Sequence, residues 1–233
     1  IIKIDQDTFM SPKTLEAAKI GVGCLVDAID SVLEKKNKNA FCLIRPPGHH
    51  AEREKAMGFC FFSTIGIGAK YLKKIKQLYK IAIVDFDVHH GNGTQDVLWN
   101  DPDCLFISIH QDEIFPFTGS KQETGIKNNI LNIPVNAGSN SNEFRSIVDN
   151  IIIPRLIKFE PEFLLISAGF DGHQDDQISQ TQWAESDFIY ITKKLKSVAN
   201  QFCEDRIVSC LEGGYHLEKL STCCVSHIKT LME

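Results

Sequence analysis

Ile81-Ala82-Ile83-Val84 runs without a break into Asp85-Phe86-Asp87-Val88-His89-His90-Gly91-Asn92-Gly93, and no other stretch restricts the fold as much. An apolar, β-branched run bounded by a glycine-rich turn is the pattern of a strand covered on both faces, as in a parallel sheet. Groups that do chemistry in such sheets lie just past the carboxyl ends of the strands. Asp87 and His89 are two residues apart, so in an extended backbone both side chains point the same way. A carboxylate and an imidazole projecting together supply two ligands of a zinc site. The competing reading is a core strand that simply ends in a hydrogen-bonded turn.

The flanking sequence repeats the strand and helix alternation. Ser11 and Pro12 precede Leu15, Ala18, Val22, Leu25, Ile29 and Val32, which predicts an amphipathic helix with Ser11 as its cap. Ala40 to Ile44 reads as a strand stopped by Arg45-Pro46-Pro47-Gly48, and His49 and His50 emerge from that turn. Phe61 to Gln77 predicts a helix, Thr94 to Trp99 a short one, and Cys104 to Ile109 a strand. A long loop from His110 to Asn129 precedes a strand at Ile130 to Ile133, and loops of that length in compact domains are usually functional. Asn142 to Phe159 is helical with a kink expected at Pro154, and Phe163 to Ser167 is a strand leaving through Ala168-Gly169-Phe170-Asp171. Trp183 to Phe202, Ile207 to Leu211 and Leu217 to Leu231 complete the series as helix, strand and helix. The predicted class is α/β, a mostly parallel central sheet with helices on both faces.

A chain of 233 residues, 43% of them hydrophobic, is large enough to bury one core, and residues 1–233 are expected to form a single domain. The formal charge of −5 argues against direct nucleic-acid binding, which needs clustered Lys and Arg. The eight cysteines form no CxxC pair and lie mostly among apolar residues, as expected of thiols in a reducing compartment. No apolar run reaches the ~18 residues of a membrane span, and the first residues lack a signal-peptide pattern. The expectation is an intracellular protein, cytoplasmic or nuclear, without a membrane partner.

The polar exceptions cluster. His49 and His50, Asp85, Asp87 and His89, Asp171, and Tyr215 each follow the carboxyl end of a predicted strand, four strands in all, and in a parallel sheet those ends share one rim. Asp87, His89 and Asp171 would hold one divalent metal and leave a coordination position open, as catalytic zinc requires. Paired imidazoles at His49 and His50 suit proton transfer near neutral pH, and Asp85 can orient one of them. Tyr215, on a Gly-Gly turn, can donate its hydroxyl to a carbonyl that is becoming an oxyanion.

Four motifs together, Arg45 to His50, Asp85 to Thr94, Ser167 to Asp171 and Glu212 to Tyr215, resemble the zinc-dependent histone deacetylase family, which includes the acetylpolyamine amidohydrolases. The resemblance covers nearly the whole chain in order. It implies a three-layer arginase-like fold and hydrolysis of acetylated amines, with acetylated lysine of a histone or other protein, or a small acetylated amine, as substrate, corepressor-type proteins as partners and sensitivity to hydroxamates. It further implies His50 as general base, His49 as its electrostatic partner, Tyr215 as carbonyl polariser, and Phe59 and Phe115 as tunnel walls. Gly58 and Gly213 fall in the matching motifs, Ile178 where the family keeps an apolar tunnel residue, and Asp7 at the rim position that holds the substrate backbone. Asp85, Asp87, His89, Ser108 and Ile109 match a structural potassium site formed largely by backbone carbonyls.

Asn92, Glu52 and Ala56-Met57-Gly58-Phe59 are class II-like, and an amide beside His50 favours the neutral imidazole a general base needs. Tyr215 differs from the His of the weakly active class IIa enzymes, which implies competence in deacetylation. The only acids in Gly172 to Ser179 are Asp175 and Asp176, and their direction decides whether a polyamine gatekeeper exists. Members of the family normally begin further upstream, so an N-terminal edge segment is expected to be missing, with six strands counted where the fold has eight. Two rivals remain: a two-metal ureohydrolase, disfavoured because His173 stands where a second Asp is needed, and a non-catalytic acyl-lysine-binding scaffold.

Overall fold

A computed structural model describes residues 1–233. Two short strands, β1 (Ile2–Lys3) and β2 (Phe9–Met10), pair antiparallel as a separate hairpin before the long helix α1 (Thr14–Leu33). The chain then continues through β3 (Asn39–Cys42), α2 (Thr64–Lys74), β4 (Ile81–Asp85), α3 (Asn92–Leu98), β5 (Cys104–Gln111) and β6 (Ile130–Val135). The helical turns α4 (Ser141–Ile147) and α5 (Ile153–Phe159) lead to β7 (Phe163–Ala168), α6 (Glu185–Phe202), β8 (Ile207–Leu211) and α7 (Leu217–Met232).

The sheet is wholly parallel, with six strands in the order β3-β8-β7-β4-β5-β6. Period-two alternation divides the apolar run of β4 between two cores. Ile81 and Ile83 pack with Leu25, Ile29, Ile65 and Leu72 of α1 and α2, while Ala82 and Val84 pack with Phe188, Ile191 and Leu195 of α6. Helices thus cover both faces, giving the three layers of the arginase-like fold. β4 lies centrally, and Asp85 is in register with both Ser108 of β5 and Ser167 of β7, so β4 and β7 end within one residue of each other while β5 runs on to Gln111. That register creates the rim. Phe86, one residue past β4, is buried against Phe170 and Phe188 at ring separations of 6.0 and 6.0 Å. Alternation then turns Asp85 and Asp87 the other way, and burial of such a ring, worth roughly 1.5–3 kcal/mol, holds that choice.

Several local expectations are corrected. Ser11 is not the cap of α1: the helix starts at Thr14, and the Ser11 N–H instead donates to Thr14 Oγ1 at 2.9 Å. The six strands of the sheet are the six counted from the sequence, whereas the β1–β2 hairpin outside it was not anticipated. Between α4 and α5, Val148–Ile152 forms a π-turn, because the ring of Pro154 cannot accommodate regular packing on the preceding turn. Trp183 stands before α6, fully buried with its ring 4.5 Å from that of Phe144 and tilted by 51°, so it packs the loop rather than opening the helix. All eight cysteines are free, and no helix is long and apolar enough to cross a membrane.

Candidate active site

The exits of β4, β7 and β8 and the turn after β3 converge on one buried polar cluster. Ligand atoms of Asp87, His89 and Asp171 lie within 4.8 Å of one another, and all three residues are buried. His89 Nδ1 is 3.1 Å from both Asp87 Oδ1 and Asp171 Oδ2. Backbone donors orient the carboxylates: Gly213 N–H donates to Asp87 Oδ2 at 2.7 Å, and Val88 N–H to Asp171 Oδ1 at 3.1 Å. A Cβ on Gly213 would run into both carboxylates, so only glycine lets the backbone approach this closely.

Burial opposes charge on His89, yet its hydrogen bonds to the Asp171 and Asp87 carboxylates raise its pKa to about 10. Burial also pushes the Asp171 carboxyl up, reinforced by Asp87, whereas the imidazoles around Asp87 overcome its burial and hold it below the usual carboxylate range. No Lys or Arg pairs with any of these acids, so the cluster's negative charge is balanced only by imidazoles. Two carboxylates and one imidazole, buried, converging and without a fixed cation, form a donor set suited to one divalent metal.

His49 and His50 lie against each other, with ring centroids 3.9 Å apart and planes tilted by 43°, but have opposite environments. His49 Nδ1 donates to Asp85 Oδ2 at 3.0 Å, and the Asp87, Asp85 and Glu212 carboxylates outweigh burial to raise its pKa well above the usual value. Burial, with His49 beside it, pushes His50 well below that value. Asn92 fixes the His50 tautomer: its Nδ2 donates to Glu52 Oε1 at 2.7 Å and to the His50 carbonyl at 3.3 Å, which leaves Oδ1 to accept from His50 Nδ1–H at 2.8 Å. Nε2 of His50 therefore keeps its lone pair.

Above the cluster lies a cavity of about 240 Å³. His50, His89 and Tyr215 line it together with Asp7, Gly58, Phe59, Phe115 and Ile178, joined by Ile114, which the sequence had not singled out. The Tyr215 phenol is pushed up by burial and then by the Asp171 and Asp87 carboxylates, so it stays protonated as a donor. Asp85, Asn92 and Gly213 support the cluster from outside the cavity lining, and Ser108 and Ile109 lie buried in β5. The Ser108 hydroxyl is engaged with His110 Nδ1 at 2.9 Å.

Two supporting acids escaped the sequence reading. Glu212, fully buried, accepts from Gly48 N–H at 2.7 Å, His49 N–H at 3.1 Å and Ser167 Oγ at 3.1 Å, and so fixes the turn that presents both histidines. Glu123 accepts from Gln95 Nε2 at 2.6 Å and from Ser120 N–H at 3.1 Å, while His90 meets Gln95 Oε1 at 3.1 Å and Thr118 Oγ1 at 2.8 Å. This network fastens the loop that carries Phe115. An acid placed directly after an apolar strand was the available signal for Glu212, whereas nothing local marks Glu123.

The profile of the histone deacetylase domain matches residues 2–231. The type-2 histone deacetylase 2 of Dictyostelium discoideum is 42% identical over 246 residues, covering 97% of this chain and 14% of that protein. The chloroplastic histone deacetylase 14 of Arabidopsis thaliana is 36% identical over 233 residues, covering 97% of this chain and 55% of that protein. The chain thus spans only part of the curated relatives it matches, 14% and 55% of these two. Among solved structures, the HDA15 HD domain superposes with a TM-score of 0.92 at 29% identity, covering 99% of this chain and 68% of that one.

Proposed function

Because the chain belongs to the histone deacetylase family, we propose that it is a zinc-dependent amidohydrolase that removes acetyl groups from lysine side chains of histones or other proteins. The observation that carries this reading is the sharing of one cavity, about 240 Å³ in size, by His50, His89 and Tyr215 with the aromatic walls Phe59 and Phe115. An acyl-lysine is a long apolar arm ending in a planar amide, and a narrow aromatic cavity over polar groups is complementary to both parts.

Asp87, His89 and Asp171 would hold the zinc. Zinc there supplies Lewis acidity to a water and to the acyl carbonyl. His50 Nε2, the free base of its ring, takes the proton from the attacking water as the new C–O bond forms. His49, paired with Asp85, adds positive charge beside the developing oxyanion, and the Tyr215 hydroxyl donates to that oxygen. The same His50 proton then passes to the amine nitrogen as the C–N bond breaks, and acetate and the free lysine amine leave. Asp7 at the mouth would hold the substrate backbone. Residues 1–233 are read as one catalytic domain. A structural potassium at the backbone carbonyls of Asp85, Asp87, His89, Ser108 and Ile109 belongs to the same proposal.

The directions of Asp175 and Asp176 favour a protein lysine over a polyamine. Asp175 points to Lys219 at 3.4 Å, Asp176 accepts backbone hydrogen bonds, and neither lines the cavity. A fluorogenic acetyl-lysine peptide and acetylated polyamines, assayed side by side with and without a hydroxamate, test the assignment. Hydroxamate-sensitive turnover of the peptide is expected. Faster turnover of polyamines would move the substrate to small amines, and no turnover of either with zinc bound would favour a binding scaffold.

A further inference from the structure

Tyr215 sits between Gly214, whose φ is +135°, and His216, in a loop whose backbone has little intrinsic preference for one position. One end of this loop is fixed to the metal cluster, since Gly213 N–H donates to Asp87 Oδ2 at 2.7 Å. At the other end the Tyr215 and His216 N–H groups both donate to a single oxygen, Asp176 Oδ2, at 2.7 and 3.0 Å. The second oxygen of that carboxylate accepts from Ile178 N–H at 3.3 Å. Asp176 is only 5% exposed and does not line the cavity, whereas Tyr215 and Ile178 do. One buried carboxylate therefore joins the loop after β8, which carries the hydroxyl, to the loop after β7, which carries a metal-ligand candidate and an apolar wall.

We infer that Asp176 is a positioning residue: by holding the backbone of Tyr215 and His216, it sets where the Tyr215 hydroxyl meets the substrate carbonyl. The inference rests on the deacetylase reading for its kinetic consequence, but not for its structural one. A carboxylate accepting three backbone N–H groups is hard to replace. Asparagine keeps the shape but brings an NH₂ that faces at least one donor, and alanine leaves the N–H groups of the loop without their acceptor. Losing this anchor frees the Gly214 hinge, and a displacement of about 1 Å at a reacting group costs up to roughly 10²-fold in rate.

The test is a double-mutant cycle on the full, zinc-loaded chain with the acetyl-lysine peptide, using Asp176→Asn and Tyr215→Phe, with Asp176→Glu as the conservative variant. Asp176→Asn is expected to lower kcat by about 10- to 100-fold, to leave KM within about threefold and to leave zinc content unchanged. Asp176→Glu should recover part of kcat. In the Tyr215→Phe background, where no hydroxyl remains to be positioned, Asp176→Asn should cost less than about twofold. An equal loss of kcat in both backgrounds, or an effect on KM alone, would overturn the inference. Amide hydrogen exchange gives a reading that does not require turnover: Tyr215 and His216 are expected to be protected in the parent chain and to exchange faster in Asp176→Asn. Unchanged exchange overturns the anchor itself, while inactive parent protein with faster exchange would remove the deacetylase reading and leave the anchor standing.

Discussion

The floor of the cavity and its mouth are built by different means. On the floor, His49, His50, Asp85, Asp87 and Asp171 are between 0 and 5% exposed and are hydrogen-bonded to one another, to backbone at strand exits or, for His50, to Asn92. At the mouth, Phe59 and Tyr215 are each 38% exposed and Ile178 is 39% exposed, all three on loops, with Gly58 and Phe59 at φ of 56° and 66°. The floor inherits its geometry from strand register, so its groups are fixed before any ligand arrives. The mouth is held by a few acids that reach across from neighbouring loops. With the proposed function, that division gives bond-breaking to the floor and substrate choice to the apolar walls of the mouth, with Tyr215 on the mouth loop near enough to feel the Asp171 and Asp87 carboxylates of the floor.

The contrast is broken most severely at Asp171. Asp171→Ala should abolish zinc binding and turnover together, and full zinc content in that variant would remove Asp171 from the ligand set. Tyr215→Phe comes next, with turnover reduced by roughly 10²–10³ and zinc retained, judging from the cost of one oxyanion donor. Near-parental turnover would reassign the hydroxyl. A change confined to an apolar wall of the mouth should act differently: Phe59→Ala is expected to raise KM about tenfold, the loss of roughly 1.4 kcal/mol of apolar contact, with kcat less affected. If kcat falls more than KM rises, the division between floor and mouth fails.

The smallest effect separates chemistry from folding. His110 and His227 are buried away from the candidate metal ligands, and burial lowers their pKa to about 4 and about 3. Both rings are neutral in the folded chain, but in the unfolded chain each takes up a proton below the usual value of 6.5. Their contribution is therefore intact above pH 6.5 and is lost as pH falls toward 4 and 3, by up to about 1.4 kcal/mol per pH unit for each ring. Denaturant midpoints measured at several pH values should fall over this window, and His227→Gln should flatten the slope. A midpoint independent of pH would show that neither ring is protonated on unfolding.

How much of this could be read from the sequence follows the same division. β4 and β8 begin and end at the residues their apolar runs predict, because buried strands are written in period and composition. The floor was legible for the same reason, since an acid or imidazole directly after such a strand has one place to go. Ser11 misled because Thr14 can make the same local hydrogen bond, and Trp183 because a buried aromatic before a helix looks like part of it. Glu123 and Asp176 were not legible as supports, because what they hold lies on loops distant in sequence. Even the Asp175 and Asp176 pair, visible as letters, had no direction until Asp176 was seen to face the Tyr215 and His216 backbone and Asp175 to face Lys219.

Zinc content and hydroxamate-sensitive acetyl-lysine hydrolysis, measured on one preparation, test the central claim most directly. The account predicts about one zinc per chain, turnover that disappears on chelation and returns with zinc, and inhibition by hydroxamate. Two metal ions per chain, or hydrolysis that survives removal of all metal, would contradict it.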